Sequence, residues 1–292
     1  MMSPINSLNF LVDVSKAQKV KLRSSLSILL SFICISLSLL TLVPLLSIVF
    51  LVLRNGFLLL TPSLFTSLPP ATGLVGGGFG NAVIGTVIMV GLALVIAAPV
   101  GILAAIYINE YDRSSRFSCI VRFVAKLLTG IPSIICGVFV FSILVIHIGF
   151  SAMAGSIALA ILILPTILLT SEQALLGVPY SLREASTGLG ATIFQTTWCI
   201  VLPEALPAMT TGLMLAIARA AGETAPVLFT ALFSSYWPKS LGHPTASLSV
   251  LIYNFSNIPY DHQAGLAWAA SLVLVGIVTI TSVTAQLLVR KK

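Results

Sequence analysis

The 292-residue chain is 58% hydrophobic and only 8% charged, with a mean hydropathy of +1.09. A chain so poor in charge cannot clothe a water-soluble globular domain, and it belongs in a bilayer. Fifteen Lys and Arg against eight Asp and Glu leave a net charge of +7, but no aromatic residues interleave with the basic arm to stack bases, which argues against a nucleic-acid partner.

Residues 1–25 form a polar N-terminal segment carrying Lys16, Lys19, Lys21 and Arg23. A helix needs about 20 apolar residues to cross the hydrocarbon core. Stretches that qualify run roughly over Leu26–Leu53, Ala82–Ile108, Val124–Ile146, Ala152–Thr170, Pro207–Phe233 and Gly265–Val289, so an all-α polytopic membrane protein with six transmembrane helices is expected. The first stretch exceeds the 7–15 residues (about) of a signal-peptide core, and no small-x-small site follows near Leu53, so it reads as an uncleaved span.

An outer loop follows, punctuated by Pro69-Pro70 and Gly76-Gly77-Gly78, and residues 109–122 make a short charged connection after the second span. In the third span, Thr129-Gly130-Ile131-Pro132-Ser133 marks a break, with Thr129 and Ser133 as possible pathway residues. His147 to Ser151 is a tight outer turn. After the fifth span, residues 234–264 carry Tyr236, Trp237, Tyr253, Phe255 and Tyr260, suited to the membrane–water interface. Leu248, Leu251, Ile252 and Phe255 recur there at helical spacing, which predicts a short amphipathic helix on the outer surface, serving packing or binding. Arg113, Arg116, Arg122 and Lys126 follow the second span and Arg290, Lys291 and Lys292 end the chain, whereas the opposite loops carry Arg54 and Lys239. The positive-inside rule therefore puts both termini in the cytoplasm. Cys34, Cys119, Cys136 and Cys199 show no CxxC spacing, and neither a disulfide nor a metal site is indicated.

Between the fourth and fifth spans lies a polar island. Ser181-Leu182-Arg183-Glu184 has capping-box spacing and predicts a short helix from Leu182. Gly190 suits a helix end at positive φ, and Thr192-Ile193-Phe194-Gln195 repeats the capping box to start a second short helix. The island is either a socket plug for a soluble partner or an ordinary loop on the membrane surface.

Arg219 and Glu223 are expected to be the only charges deep in an apolar segment. Insertion of an Arg at a helix centre costs about 2.5–3.5 kcal/mol, so such residues face a bundle interior or a pathway. The pair is a pathway site, a self-neutralising i,i+4 ion pair, or both. A lone guanidinium suits an oxyanion, and Glu223 favours one that retains a proton, such as hydrogen phosphate. Gly222 and Pro226 loosen the helix here, either to line a cavity or as a packing kink, and Gly222 and Thr224 join Arg219 and Glu223 as expected pathway residues.

Glu184-Ala185-Ser186 with Gly190 and then Ile200-Val201-Leu202-Pro203 resembles the EAA signature of permease subunits of ATP-binding-cassette importers. The run from Ala216 through Ala218-Arg219-Ala220-Ala221-Gly222-Glu223-Thr224-Ala225-Pro226 to Ala231 is similar to the hallmark of PstA-type permeases of the high-affinity phosphate importer, and the similarity extends over residues 81–286. The resemblance implies a type I importer permease fold: a five-helix core over 81–289, preceded by a first helix and outer loop over 26–80 and closed by 290–292. Within it the loop 171–206 places Glu184, Ala185, Ser186 and Gly190 on a coupling helix. It also implies a bacterial inner-membrane location, a heterodimer with a PstC-type sister permease, an extracytoplasmic phosphate-binding protein, and two ATP-binding subunits that hold ATP and Mg. Relatives often have Arg where Leu169 precedes Thr170-Ser171-Glu172, so a second basic contact there is in doubt.

Two classes of function follow. A non-enzymatic permease fits the lack of a Gly-x-x-x-x-Gly-Lys-Ser/Thr loop. An intramembrane hydrolase would need a His beside a nucleophilic Ser, yet His147, His243 and His262 all fall in outer turns or loops. Within the importer class, molybdate or sulfate is the alternative cargo.

Overall fold

The computed structural model describes the backbone of residues 4–290 and the side chains of residues 27–287, and within them every regular element is helical. Lys16, Lys19, Lys21, Arg23 and the C-terminal basic residues lie outside the described side chains. Among the described residues five helices are long and apolar enough to cross a membrane, or six if one sharply bent pair of helices counts as a single span. Residues 1–54 and 55–292 are separate compact units. The first holds most of α1 (Pro4–Phe57), whose Ser27–Phe57 portion exposes Ile28, Phe32, Leu40 and Phe50 around its circumference. Apolar surface on every side is what a lipid-facing span presents.

In the second unit, α2 (Gly80–Ile106) buries Ala93, Ala97, Gly101 and Ala105, spaced four apart and therefore stacked on one face. Small residues let helix backbones approach closely where no water drives association. That stripe meets α6 (Ala152–Leu176), the most buried span, which also packs on α9 (Leu202–Gly222). Gly212 of α9 sits so close that a Cβ there would lie 2.3 Å from Thr170 Oγ1. The last span, α12 (Asp261–Arg290), packs on α9 and α11 (Leu248–Ser256).

The third span departs from expectation. Val124–Ile146 is not one helix: α3 (Arg116–Gly130) and α4 (Ser133–Val140) meet at a 102° bend, with Ile131 extended and Pro132 unable to donate a backbone hydrogen bond. A π-helical turn, Phe141–Val145, and the single turn α5 (Ile146–Ile148) complete the segment before Gly149 turns it at φ +79°. Arg116 and Arg122, expected in the connection, therefore sit on α3.

The fifth span is also displaced. It begins at α8 (Ile193–Thr196), runs through a π-helical turn at Thr197–Val201 into α9, and ends at Gly222 rather than reaching Phe233. Pro226 explains the stop, because in a continuing helix its ring would strike the carbonyl four residues back, that of Gly222. Glu223 is extended, and α10 (Ala225–Thr230) restarts with Pro226 in its first turn, where a missing N–H costs nothing.

The short outer helix exists as α11, capped by Ser247 through Val250 N–H at 3.2 Å. It does not lie on the surface: Leu248, Val250, Leu251 and Phe255 are buried, and Phe255 is thus lost from the interfacial aromatics. Insertion is possible because α2 meets its polar needs, with Leu248 N–H donating to Thr86 Oγ1 at 2.8 Å. The outer loop packs there too, burying Leu64 and Phe79 beside Leu248 and Leu266.

Gly212→Val should force α6 and α9 apart and lower stability by about 1–3 kcal/mol. A clear fall in thermal midpoint in detergent is expected, whereas Gly276→Val, at a site with open space, should leave it unchanged.

Candidate functional site

Arg219 occupies the last turn of α9, and Glu223 is the first residue beyond it. A cation there is favoured by the helix dipole. The two form an i,i+4 pair with Arg219 Nε 3.5 Å from Glu223 Oε1, their side chains 34% and 16% exposed. They stand at a helix break, so the expectation of charges within a continuous span is corrected. Gly222 is exposed and ends α9, while Thr224 is half-buried and precedes α10.

The two broken spans meet at this point. α4 packs on α10 so tightly that a Cβ on Gly137 would come 2.7 Å from Pro226 Cα. Ser133 lies one turn before Gly137, on the same face of α4. The structure thus places Ser133 on the face of α4 that packs against the restarted fifth span. Thr129 is not brought in: it is exposed on the far side of the bend and donates to Lys126 O at 2.7 Å. The unwound segment is held by α11, where Ser249 Oγ donates to Glu223 O at 2.8 Å.

The arginines separate by their hydrogen bonding. Arg122 on α3 pairs with Glu172 on α6 and donates to Ile108 O at 2.7 Å and Arg113 O at 3.0 Å. Arg183 donates to both carboxylate oxygens of Glu110, at 3.2 and 2.8 Å, and to the carbonyls of Val178 and Leu175. Arg219 makes no hydrogen bond among the described residues, only the loose contact with Glu223. A guanidinium has five donors. Those of Arg219 remain free to bind an anion.

The ion pairs of Glu172 and Glu110 escaped the sequence reading, and Glu172, buried in α6, corrects the expectation that Arg219 and Glu223 were the only charges in apolar segments. The fourth span was ended at Thr170, two residues too early for its last helical turn to include Glu172. Asn109-Glu110 closing the second span beside a later Arg183 offered the only hint. Leu169 lines an apolar groove of about 560 Å³ with Thr170, Gln173, Ala208 and Gly212.

On the polar island, α7 (Tyr180–Gly188) starts without the expected Ser181–Glu184 capping box. Pro179 at the N-cap starts the helix two residues early, at Tyr180, so Ser181 lies inside the first turn and cannot cap it. The second box is present: Thr192 N–H donates to Gln195 Oε1 at 2.9 Å and Gln195 N–H to Thr192 Oγ1 at 3.3 Å. The helix it starts is not short, since α8 is the foot of the fifth span. Gly190 turns the chain at φ +82° between them. Glu184 and Ala185 face outward, while buried Ser186 bonds Thr196 on α8 at 2.8 Å between hydroxyl oxygens.

Residues 97–292 match the model of the binding-protein-dependent transport system inner membrane component family. The chain is 39% identical to the phosphate transport system permease protein PstA of Yersinia pestis, over 84% of this chain and 83% of that one. It is 34% identical to the PstA of Pasteurella multocida, over 93% and 96%. Among solved structures, the MetNI methionine ABC transporter in an inward-facing conformation matches at a TM-score of 0.57 and 23% identity, over 72% of this chain and 92% of that one. A bacterial ABC transporter that imports alginate matches at 0.53 and 18%, over 73% and 79%. Both likenesses concern the fold, that of a type I ABC importer permease.

Arg122→Met should leave Glu172 charged and unpaired in the bundle, a loss on the order of 3 kcal/mol. The expected result is a sharply lowered thermal midpoint in detergent, partly restored by adding Glu172→Gln.

Proposed function

The chain belongs to the family of binding-protein-dependent transport system inner membrane components, and on that premise we propose that it is the transmembrane permease subunit of an ATP-driven inorganic phosphate importer. The observation that carries the reading is Arg219, a guanidinium with unused donors beside Glu223 where the third and fifth spans both break. The relatives named as phosphate permeases support the choice of cargo. Gly222 ends α9, Thr224 contributes unwound backbone, and Ser133 a hydroxyl on the neighbouring helix. Phosphate retaining a proton donates to Glu223 and accepts from Arg219, a pairing that fully ionised sulfate cannot make. Thr129, whose hydroxyl is engaged on α3, has less support.

The anion pathway is completed by a sister permease, and an extracytoplasmic phosphate-binding protein delivers the cargo. No ATP-binding loop occurs in this chain, so ATP and Mg belong to two partner ATPase subunits. Both termini lie in the cytoplasm, as the basic flanks require. The five-helix core over 81–289 does the transport work, with α1 and the outer loop as a preceding element. Glu184, Ala185, Ser186 and Gly190 form the coupling helix and its turn: outward-facing Glu184 and Ala185 meet an ATPase groove, while Ser186 ties α7 to the fifth span.

Two experiments test the reading in vesicles that hold the complete complex. Arg219→Ala should insert normally yet lose phosphate uptake by well over tenfold, and Arg219→Lys should also be impaired because it lacks the fork. Glu223→Gln should weaken discrimination against sulfate as competitor. Wild-type uptake by a normally inserted Arg219→Ala would leave the pair a structural one. For coupling, Gly190→Val places a β-branched residue at positive φ, and ATPase stimulation by the loaded binding protein should fall while insertion is unaffected.

A further inference from the structure

We infer that Arg183 and Glu110 form a strut through which the coupling helix moves the cytoplasmic end of the second span. The inference rests on the reading of α7 as that helix. Among the described residues, the hydrogen-bonded side-chain holds that tie α7 to other elements are the Ser186–Thr196 bond to the foot of the fifth span and Arg183. Its guanidinium grips the Glu110 carboxylate through two donors, Nε and Nη2, while Nη1 and Nη2 hold Val178 O and Leu175 O at the end of α6.

A two-donor charge-assisted pair is both strong and directional, so it transmits push and pull rather than mere proximity. Glu110 cannot swivel freely, because Asn109 Nδ2 donates to its Oε1 at 2.6 Å and it sits in the π-helical turn, Tyr107–Tyr111, that ends the second span. The side chains are 15% and 7% exposed, so water competes weakly for the contact. The opposite side of α7 is bare, ending at Leu189, which is 89% exposed beside the Gly190 turn. A partner pushing on that tip therefore has two routes inward. One reaches the fifth span, which carries Arg219, through Ser186. The other reaches the second span through Arg183, so that the spans shift together.

The test uses the complete complex in vesicles, with inorganic phosphate as the probe, and reads phosphate taken up per ATP hydrolysed. Arg183→Gln and Glu110→Gln should each assemble at wild-type stoichiometry and continue to hydrolyse ATP, while that ratio falls by about tenfold. Glu110→Gln keeps the carbonyl bonds of Arg183, so it carries the test where Arg183→Gln fails to insert. Arg183→Lys should stay uncoupled for want of the fork, and the double Gln variant should be no worse than either single one. A merely structural pair would lower uptake and hydrolysis in proportion, and that result overturns the strut. Leu189→Asp separates the two levels of the argument: it should release the ATPase subunits. If they stay bound, the coupling reading fails and the strut with it. If they are released while Arg183→Gln and Glu110→Gln keep the wild-type ratio, the strut alone fails.

Discussion

Inside hydrocarbon no water is on hand to satisfy a peptide group, so a chain can leave the helix at membrane depth only where its own neighbours supply the missing partners. Most of this structure follows from how that demand is met at two prolines. Pro132 breaks the third span and Pro226 the fifth, and α4 is packed onto α10 with Gly137 against the Pro226 backbone. The carbonyl freed at Glu223 takes a hydroxyl from Ser249, and the first N–H of the inserted α11 finds Thr86. Without those two partners the unwound segment and the start of α11 would each bear an unsatisfied group costing several kcal/mol, by the usual scale for buried amides. The inserted helix and the break thus require one another.

The same accounting gives the arginines different jobs. At the ends of the spans, Arg122 and Arg183 spend their donors on a carboxylate and on carbonyls that helix ends leave open. Both are engaged by protein partners, and what they join is the end of the second span to α3, α6 and α7. Arg219 is left with a 3.5 Å contact and no hydrogen bond among the described residues. An arginine held so loosely, at a point where two backbones part, keeps its capacity for a ligand.

Close packing links these regions. The four-residue stripe of Ala and Gly on α2 and Gly212 on α9 bring both helices hard against α6. Interiors packed this way transmit displacement rather than absorb it. α8 and α9 run on from the Ser186–Thr196 contact with α7 at one end to Arg219 at the other.

Apolar run lengths, prolines and glycines were local enough to read from residues alone. They fixed an all-helical membrane chain, the turn at Gly190, the Thr192–Gln195 cap and the weakness at Pro132 and Pro226. Where helices start and stop was harder: Pro179 displaced the Ser181 cap, and Pro226 ended a helix that apolar composition carried on to Phe233. Burial of α11 was invisible, because Leu248, Leu251 and Phe255 have the same helical spacing whether they face lipid or a bundle. Glu110 and Glu172 were missed because their partners lie 73 and 50 residues away. Periodicity and capping depend on neighbours within a turn or two of the chain, and a sequence states those directly. Which arginine is saturated and which is free depends on atoms brought together across the fold, and only the tertiary structure decided that.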